Sequence, residues 1–123
     1  ITFYGRYSKI ISTLKNVQPK AKFFLLTLSN NYTNGTNAEL VKSFNNAIRY
    51  ISNNTENCYL IDLSIDDFMY NSVISDNLRA GHYNAWCYNI IGMHLAKLIG
   101  NYMYEHQDEF RQIEFIGTDY EWN

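Results

Sequence analysis

The run Gly81-His82-Tyr83-Asn84-Ala85-Trp86-Cys87-Tyr88 concentrates the residues with the clearest chemical potential. His82 stands two residues ahead of Asn84, which reads as the N-cap of the last long helix. An Asn there can accept a backbone N–H that the first helical turn leaves unpaired. Gly81 gives the backbone freedom to bend sharply into that helix. The imidazole is then held at a loop–helix junction, outside the core and near the ends of the preceding strands. A general base needs such a position, reachable by substrate and fixed by a rigid element. The same residues also fit a surface histidine in an ordinary helix-entry loop.

Other candidates are more scattered. Ser29 follows a strand at its C-terminal end and faces the expected site, though its Asn neighbours suit a loop; Ser64 and Ser75 have no better claim. Asp62 ends a strand and could line a site or cap the following turn. Tyr83 and Trp86 flank the histidine and could wall a sugar or acyl group, or simply pack at a helix start. His94 and His106 lie on or beyond one helix without metal-ligand spacing to His82, and read as solvated helix residues. Asp62, Asp66 and Asp67 resemble a Mg²⁺ cluster only superficially, since the Asp-Asp pair falls on the wrong side of its strand and no phosphate loop accompanies it. No metal or organic cofactor is expected.

The elements that must position these residues follow from periodicity. Tyr4 to Val17 reads as a helix with Tyr7, Ile10, Ile11 and Leu14 on one side. Gln18-Pro19-Lys20 stops it. Ala21 to Leu28 contains Phe23-Phe24-Leu25-Leu26, too continuously apolar for a one-faced strand and suited to a parallel strand buried on both sides. Ser29 to Thr36 is a polar loop at that strand's C-terminal end, where open α/β sheets keep their sites. Asn37 to Ile51 is a second helix, with Leu40, Val41, Phe44, Ala47, Ile48 and Ile51 as its stripe. Cys58 to Leu63 is a second strand. Ile65 to Arg79 is irregular, with a helical turn around Asp66 to Tyr70. Asn84 to Tyr104 is the third helix, with Ile91, Leu95, Leu98 and Tyr102 on one face. Gln112 to Ile116 forms a short strand, and Gly117 to Tyr120 a turn. The alternation predicts parallel strands with crossover helices. Two strands are few for a free-standing sheet, so more sheet is expected from upstream.

Composition narrows the partners. The 123 residues suit one domain or part of one, and can bury a useful core. Eleven tyrosines lift the aromatic share to 16%, which points to amphipathic rings at a rim rather than to disorder. A net charge of -2 offers no basic stripe for nucleic acid, and no apolar run approaches a membrane span. Cys58 and Cys87 make neither a disulfide framework nor a metal pattern and read as small buried side chains. Three Asn-x-Thr triplets, beginning at Asn31, Asn34 and Asn53, suit an asparagine-heavy chain and do not establish secretion. The compartment stays open between bacterial cytoplasmic and secreted. Ile1 suggests a processed product or a fragment.

Pro19 through Leu28, the strand ending Ile61-Asp62-Leu63, and Gly81-His82-Tyr83-Asn84 opening the last helix together resemble the C-terminal half of an SGNH (GDSL-type) hydrolase. The resemblance implies an α/β fold, a three-layer doubly wound parallel sheet of flavodoxin-like type, with this chain as its C-terminal portion. It implies a serine-dependent ester hydrolase in which His82 is the general base. The nucleophile and the oxyanion donors would belong to the upstream part of the same protein, because no Gly-Asp-Ser block or Gly-x-Ser-x-Gly elbow occurs here. Losing one oxyanion donor alone can slow such an enzyme roughly a hundredfold, so the isolated chain is expected to be inactive.

Two positions depart from the family pattern. Arg79 stands three residues before the histidine, where the family usually has an orienting aspartate. Asp76 is the nearest acid and the candidate substitute, a backbone carbonyl being the other. Cys87 stands where glycine often opens the last helix. The substrate would be a small-molecule or carbohydrate ester, with carbohydrate deacetylation common in the family and lipid or thioester hydrolysis its rivals. The competing class is a non-catalytic α/β binding or interaction module, whose tyrosine-rich loops contact carbohydrate without reaction.

Overall fold

A computed structural model describes residues 2–29, 37–79 and 81–110. The chain is a mixed α/β structure built around two short parallel strands. Helix α1 (Phe3–Val17) is capped by Thr2, whose hydroxyl accepts the Gly5 N–H at 3.1 Å. It leads to β1 (Phe23–Leu26), helix α2 (Ala38–Asn54) and β2 (Cys58–Ile61). A 3-10 turn (Asp67–Tyr70) and a single-turn helix α3 (Ser72–Ser75) follow. A hairpin of β3 (Leu78–Arg79) and β4 (His82–Tyr83) then feeds the long helix α4 (Ala85–Glu105) and the short α5 (Gln107–Phe110). The expected strand at Gln112 to Ile116 and the turn after it lie outside the described residues.

Strands β1 and β2 pair in parallel, Phe23 with Cys58 through Leu26 with Ile61. Successive side chains leave a strand on opposite faces, and here each face has its own core. Leu25 and Cys58 pack with Ile11, Ile48 and Ile51 of α1 and α2. Leu26 and Ile61 pack with Tyr83, Cys87 and Ile91 on the other side. This two-sided burial is the reason the strand sequences are continuously apolar. The first stripe is only partly used: Ile11 is buried, whereas Ile10 and Leu14 remain exposed. Both cysteines are buried and free. Cys87, in the helix-opening position, is fully enclosed against the carbonyls of Val73 and Ile74.

Both strands are shorter than their apolar runs, and side chains explain where they stop. Asn45, almost wholly buried on α2, accepts the Leu28 N–H and donates to the Leu28 carbonyl, both at 2.8 Å. The amide thus occupies Leu28 as a neighbouring strand would. After β2, the Ser64 N–H bends back to Asp62 Oδ1 at 3.2 Å and to Thr27 Oγ1 at 3.1 Å. Thr27 donates to Asp62 Oδ1 at 2.7 Å, and Arg49 binds the same carboxylate through Nε at 2.7 Å and Nη2 at 3.1 Å. Ser64 Oγ donates to Asp62 as well. One carboxylate therefore joins the ends of β1 and β2 to α2. Asp62 caps the turn, one of the two roles its position at a strand end allows, and also binds Thr27 and Arg49.

The remaining differences are local. Helix α2 runs a turn past Ile51, and the chain re-enters the sheet through Asn57 at φ +60, a left-handed conformation that Asn tolerates. The segment read as irregular holds two capped turns: Asp66 accepts the Phe68 N–H at 3.0 Å and Asn71 the Ile74 N–H at 3.2 Å. The hairpin was not anticipated.

Burial by itself raises the Asp62 pKa, but the hydrogen bonds from Arg49, Ser64 and Thr27 outweigh it and hold the group at about 2. A carboxyl depressed on folding stabilises the fold above its ordinary value and loses that contribution as pH falls towards the folded value. Acid titration of stability is therefore expected to reveal a loss of about 1–2 kcal/mol between roughly pH 4 and 2, after allowance for solvent screening. In Asp62→Asn this component of the titration should vanish. Chemical denaturation across that range is the measurement.

Candidate functional site

The hairpin decides where the histidine goes. Leu78 pairs with Tyr83 and Arg79 with His82 across two antiparallel strands. Gly81 at the turn has φ +82, where a side chain is strained. Cross-strand partners share a face and neighbours alternate. Leu78 and Tyr83 turn into the core, with Tyr83 only 5% exposed, while Arg79 and His82 are exposed together on the outer face. The helix entry is as the sequence indicates: Asn84 Oδ1 accepts the Cys87 N–H at 2.8 Å, and its amide donates to Asn77 Oδ1 at 3.0 Å.

Tyr83 anchors this outward-facing histidine to the sheet. Its hydroxyl lies 3.4 Å from Ser29 Oγ, and Ser29 is 1% exposed just beyond the end of β1. Tyr88 meets the Tyr83 ring edge-on at 5.6 Å between centroids. The hairpin thus sits over the C-terminal ends of the strands, the edge where open α/β sheets place their ligands. Ser29 does lie at that edge, but its hydroxyl meets a tyrosine in the interior.

The other sequence candidates divide. Asp76 is exposed at the C-terminal cap of α3, and its carboxylate contacts Ser75 Oγ at 3.4 Å; the structure does not join it to His82. Trp86 is 57% exposed in the first turn of α4. Tyr83 instead forms part of the interior wall. His94 and His106 are not the solvated residues expected. His94 Nε2 lies 2.6 Å from Asp66 Oδ2 and its ring stacks on Phe68 at 3.9 Å. His106 stacks on Tyr102 at 4.0 Å. Helix periodicity carries no information about the partners of His94, because Asp66 and Phe68 arrive from a separate segment. Among the described residues no group of three His, Cys, Asp or Glu side chains is placed to hold a metal ion.

Two features of the site escaped the sequence reading. Arg79, noted as the departure three residues before His82, is that residue's direct partner across the hairpin. A carboxylate in place of Arg79 would therefore stand opposite the imidazole. The other feature is Asn45, whose hold on Leu28 fixes the chain immediately before Ser29. Gly81, as a glycine where a tight turn could form, was the local signal for the first; nothing local signalled the second.

No family model, curated protein or solved structure matches this chain.

The helix entry can be tested without knowing the function. Asn84→Ala removes the cap and the bond to Asn77, and is expected to destabilise the fold by about 1 kcal/mol. Gly81→Val, forced into the left-handed region, is expected to destabilise it by at least about 1 kcal/mol. Thermal unfolding of the two variants beside the parent reads both.

Proposed function

We propose that His82 is the general base of a serine-dependent ester hydrolase of SGNH type, and that the serine belongs to a segment outside these 123 residues. The observation that carries this reading is the placement of His82. The imidazole is exposed on the outer face of a hairpin whose inner face is anchored through Tyr83 to Ser29, at the C-terminal end of β1. A base that must reach a nucleophile on another segment has to face outward from the element that holds it. The two-sided burial of β1 and β2 supports extending the pair into a doubly wound parallel sheet.

In this mechanism the serine hydroxyl attacks the ester carbonyl as His82 takes its proton. The imidazolium returns that proton to the leaving alkoxide as the tetrahedral intermediate collapses. His82 then takes a proton from water, which attacks the acyl-serine, and gives it to the serine oxygen as the free acid departs. Trp86, exposed in the first turn of α4, would contact substrate. Asp76 could orient the base only after α3 or the hairpin shifts.

A second reading, a non-catalytic binding module, is favoured by one observation: no acid pairs with His82 among the described residues. Fluorophosphonate labelling separates the two. The full-length protein is expected to label, with labelling slowed roughly a hundredfold or more in His82→Ala. Arg79→Asp, which sets a carboxylate opposite the imidazole, is expected to raise kcat/KM by about tenfold. Labelling of the 123-residue chain alone would place the nucleophile inside it, and failure of the full-length protein to label would favour the module.

A further inference from the structure

Arg79 and His82 leave the hairpin on one face, paired across its strands and separated in sequence by only two residues. Directly opposed residues of antiparallel strands hold their Cβ atoms about 5 Å apart. Both side chains are exposed, whereas their neighbours Leu78 and Tyr83 pack against the core. The guanidinium keeps its charge at any working pH and presents its N–H donors in a flat fork. Among the described residues the ion pairs are Arg49–Asp62 and His94–Asp66, and neither involves Arg79. Asp76, the nearest acid in sequence, contacts Ser75 instead. No other lysine, arginine, aspartate or glutamate falls between Asp76 and Lys97. Among the described residues, then, the face that carries His82 presents an uncompensated positive charge beside the imidazole.

We propose that Arg79 binds an oxyanion carried by the substrate, a carboxylate or phosphate a few bonds from the ester, and so selects anionic esters over neutral ones. The assignment rests on the ester-hydrolase reading for the bond that is cut, and on the hairpin register for the charge beside it. A substrate held between His82 and a serine from another segment covers the outer face of the hairpin, Arg79 included. Burying a guanidinium without a partner is costly. A neutral ester leaves that cost standing. A carboxylate or phosphate removes it by accepting a pair of parallel N–H bonds from the fork. The same pair exposed to water would contribute little, so the selectivity arises as the site closes. An aspartate at position 79 would serve the imidazole; the arginine serves the substrate.

Matched charged and neutral esters, given to the full-length protein, test this. Monomethyl succinate carries its carboxylate on the acyl side of the ester, and acetoxyacetate on the alcohol side. Methyl succinamate and acetoxyacetamide are their neutral counterparts, and hydrolysis is followed as acid release at constant pH. The carboxylate is expected to raise kcat/KM about tenfold over the amide in at least one of the pairs, which identifies the side of the ester that faces Arg79. Arg79→Gln should erase the preference, Arg79→Lys should keep part of it, and added salt should weaken it. Arg79→Asp should slow the charged ester while it quickens the neutral one. Equal rates for charged and neutral esters, as when an acid of the serine-bearing segment pairs with Arg79, would overturn the anion site and leave the hydrolase reading standing. A loss in Arg79→Gln shared equally by both kinds of ester would do the same. Binding of either carboxylate that shifts the His82 ring resonances and is lost in Arg79→Gln, without hydrolysis of any ester, would support the anion site and overturn the hydrolase reading.

Discussion

The carboxylate of Asp62 is the constraint on which the C-terminal edge of the strands depends. It takes hydrogen bonds from Thr27 at the end of β1, from Arg49 on α2 and from Ser64 just past β2. Two parallel strands of four residues form too little sheet to fix their own ends. Side chains do it instead: Asp62 joins the strand ends to each other, and Asn45 holds Leu28 from the helix. The Arg49–Asp62 pair is mostly enclosed, Arg49 Nε holding Oδ2 while Oδ1 also accepts from Thr27 and Ser64. In that setting removing one partner strands a charge, so the group acts as a joint more than as a source of net stability.

From that joint the site is built outward. Ser29 is fixed because Leu28 is fixed, Tyr83 meets Ser29, and the hairpin carries His82 on the face opposite Tyr83. Each step converts a backbone position into a side-chain direction. The Asp66–His94 pair, stacked on Phe68, ties the segment between β2 and the hairpin to α4. It therefore steadies the hairpin from behind without touching the proposed chemistry.

Much of this was legible in the residues, and for physical reasons. The continuous apolar runs of β1 and β2 read correctly because both faces are buried, and the cap at Asn84 because its signal is local. The buried cysteines followed from their apolar surroundings. The hairpin was hidden because two-residue strands show no periodicity, and Gly81 read only as a bend. The partners of His94 and Asn45 were hidden because they depend on contacts between segments, which periodicity within one segment does not encode, whereas His106 stacks on Tyr102 four residues earlier on its own helix. Ile10 and Leu14 show the converse error: helical spacing marks a face as apolar without saying that anything covers it.

His82 is proposed to work on a serine brought from outside these residues. A crystal structure of the full-length protein carrying a phosphonate on its reactive serine tests it most directly. The His82 imidazole is expected within about 3 Å of the modified serine oxygen, at the C-terminal edge of the sheet. A modified serine lying beyond hydrogen-bond reach of His82, with another group serving as its base, would contradict it.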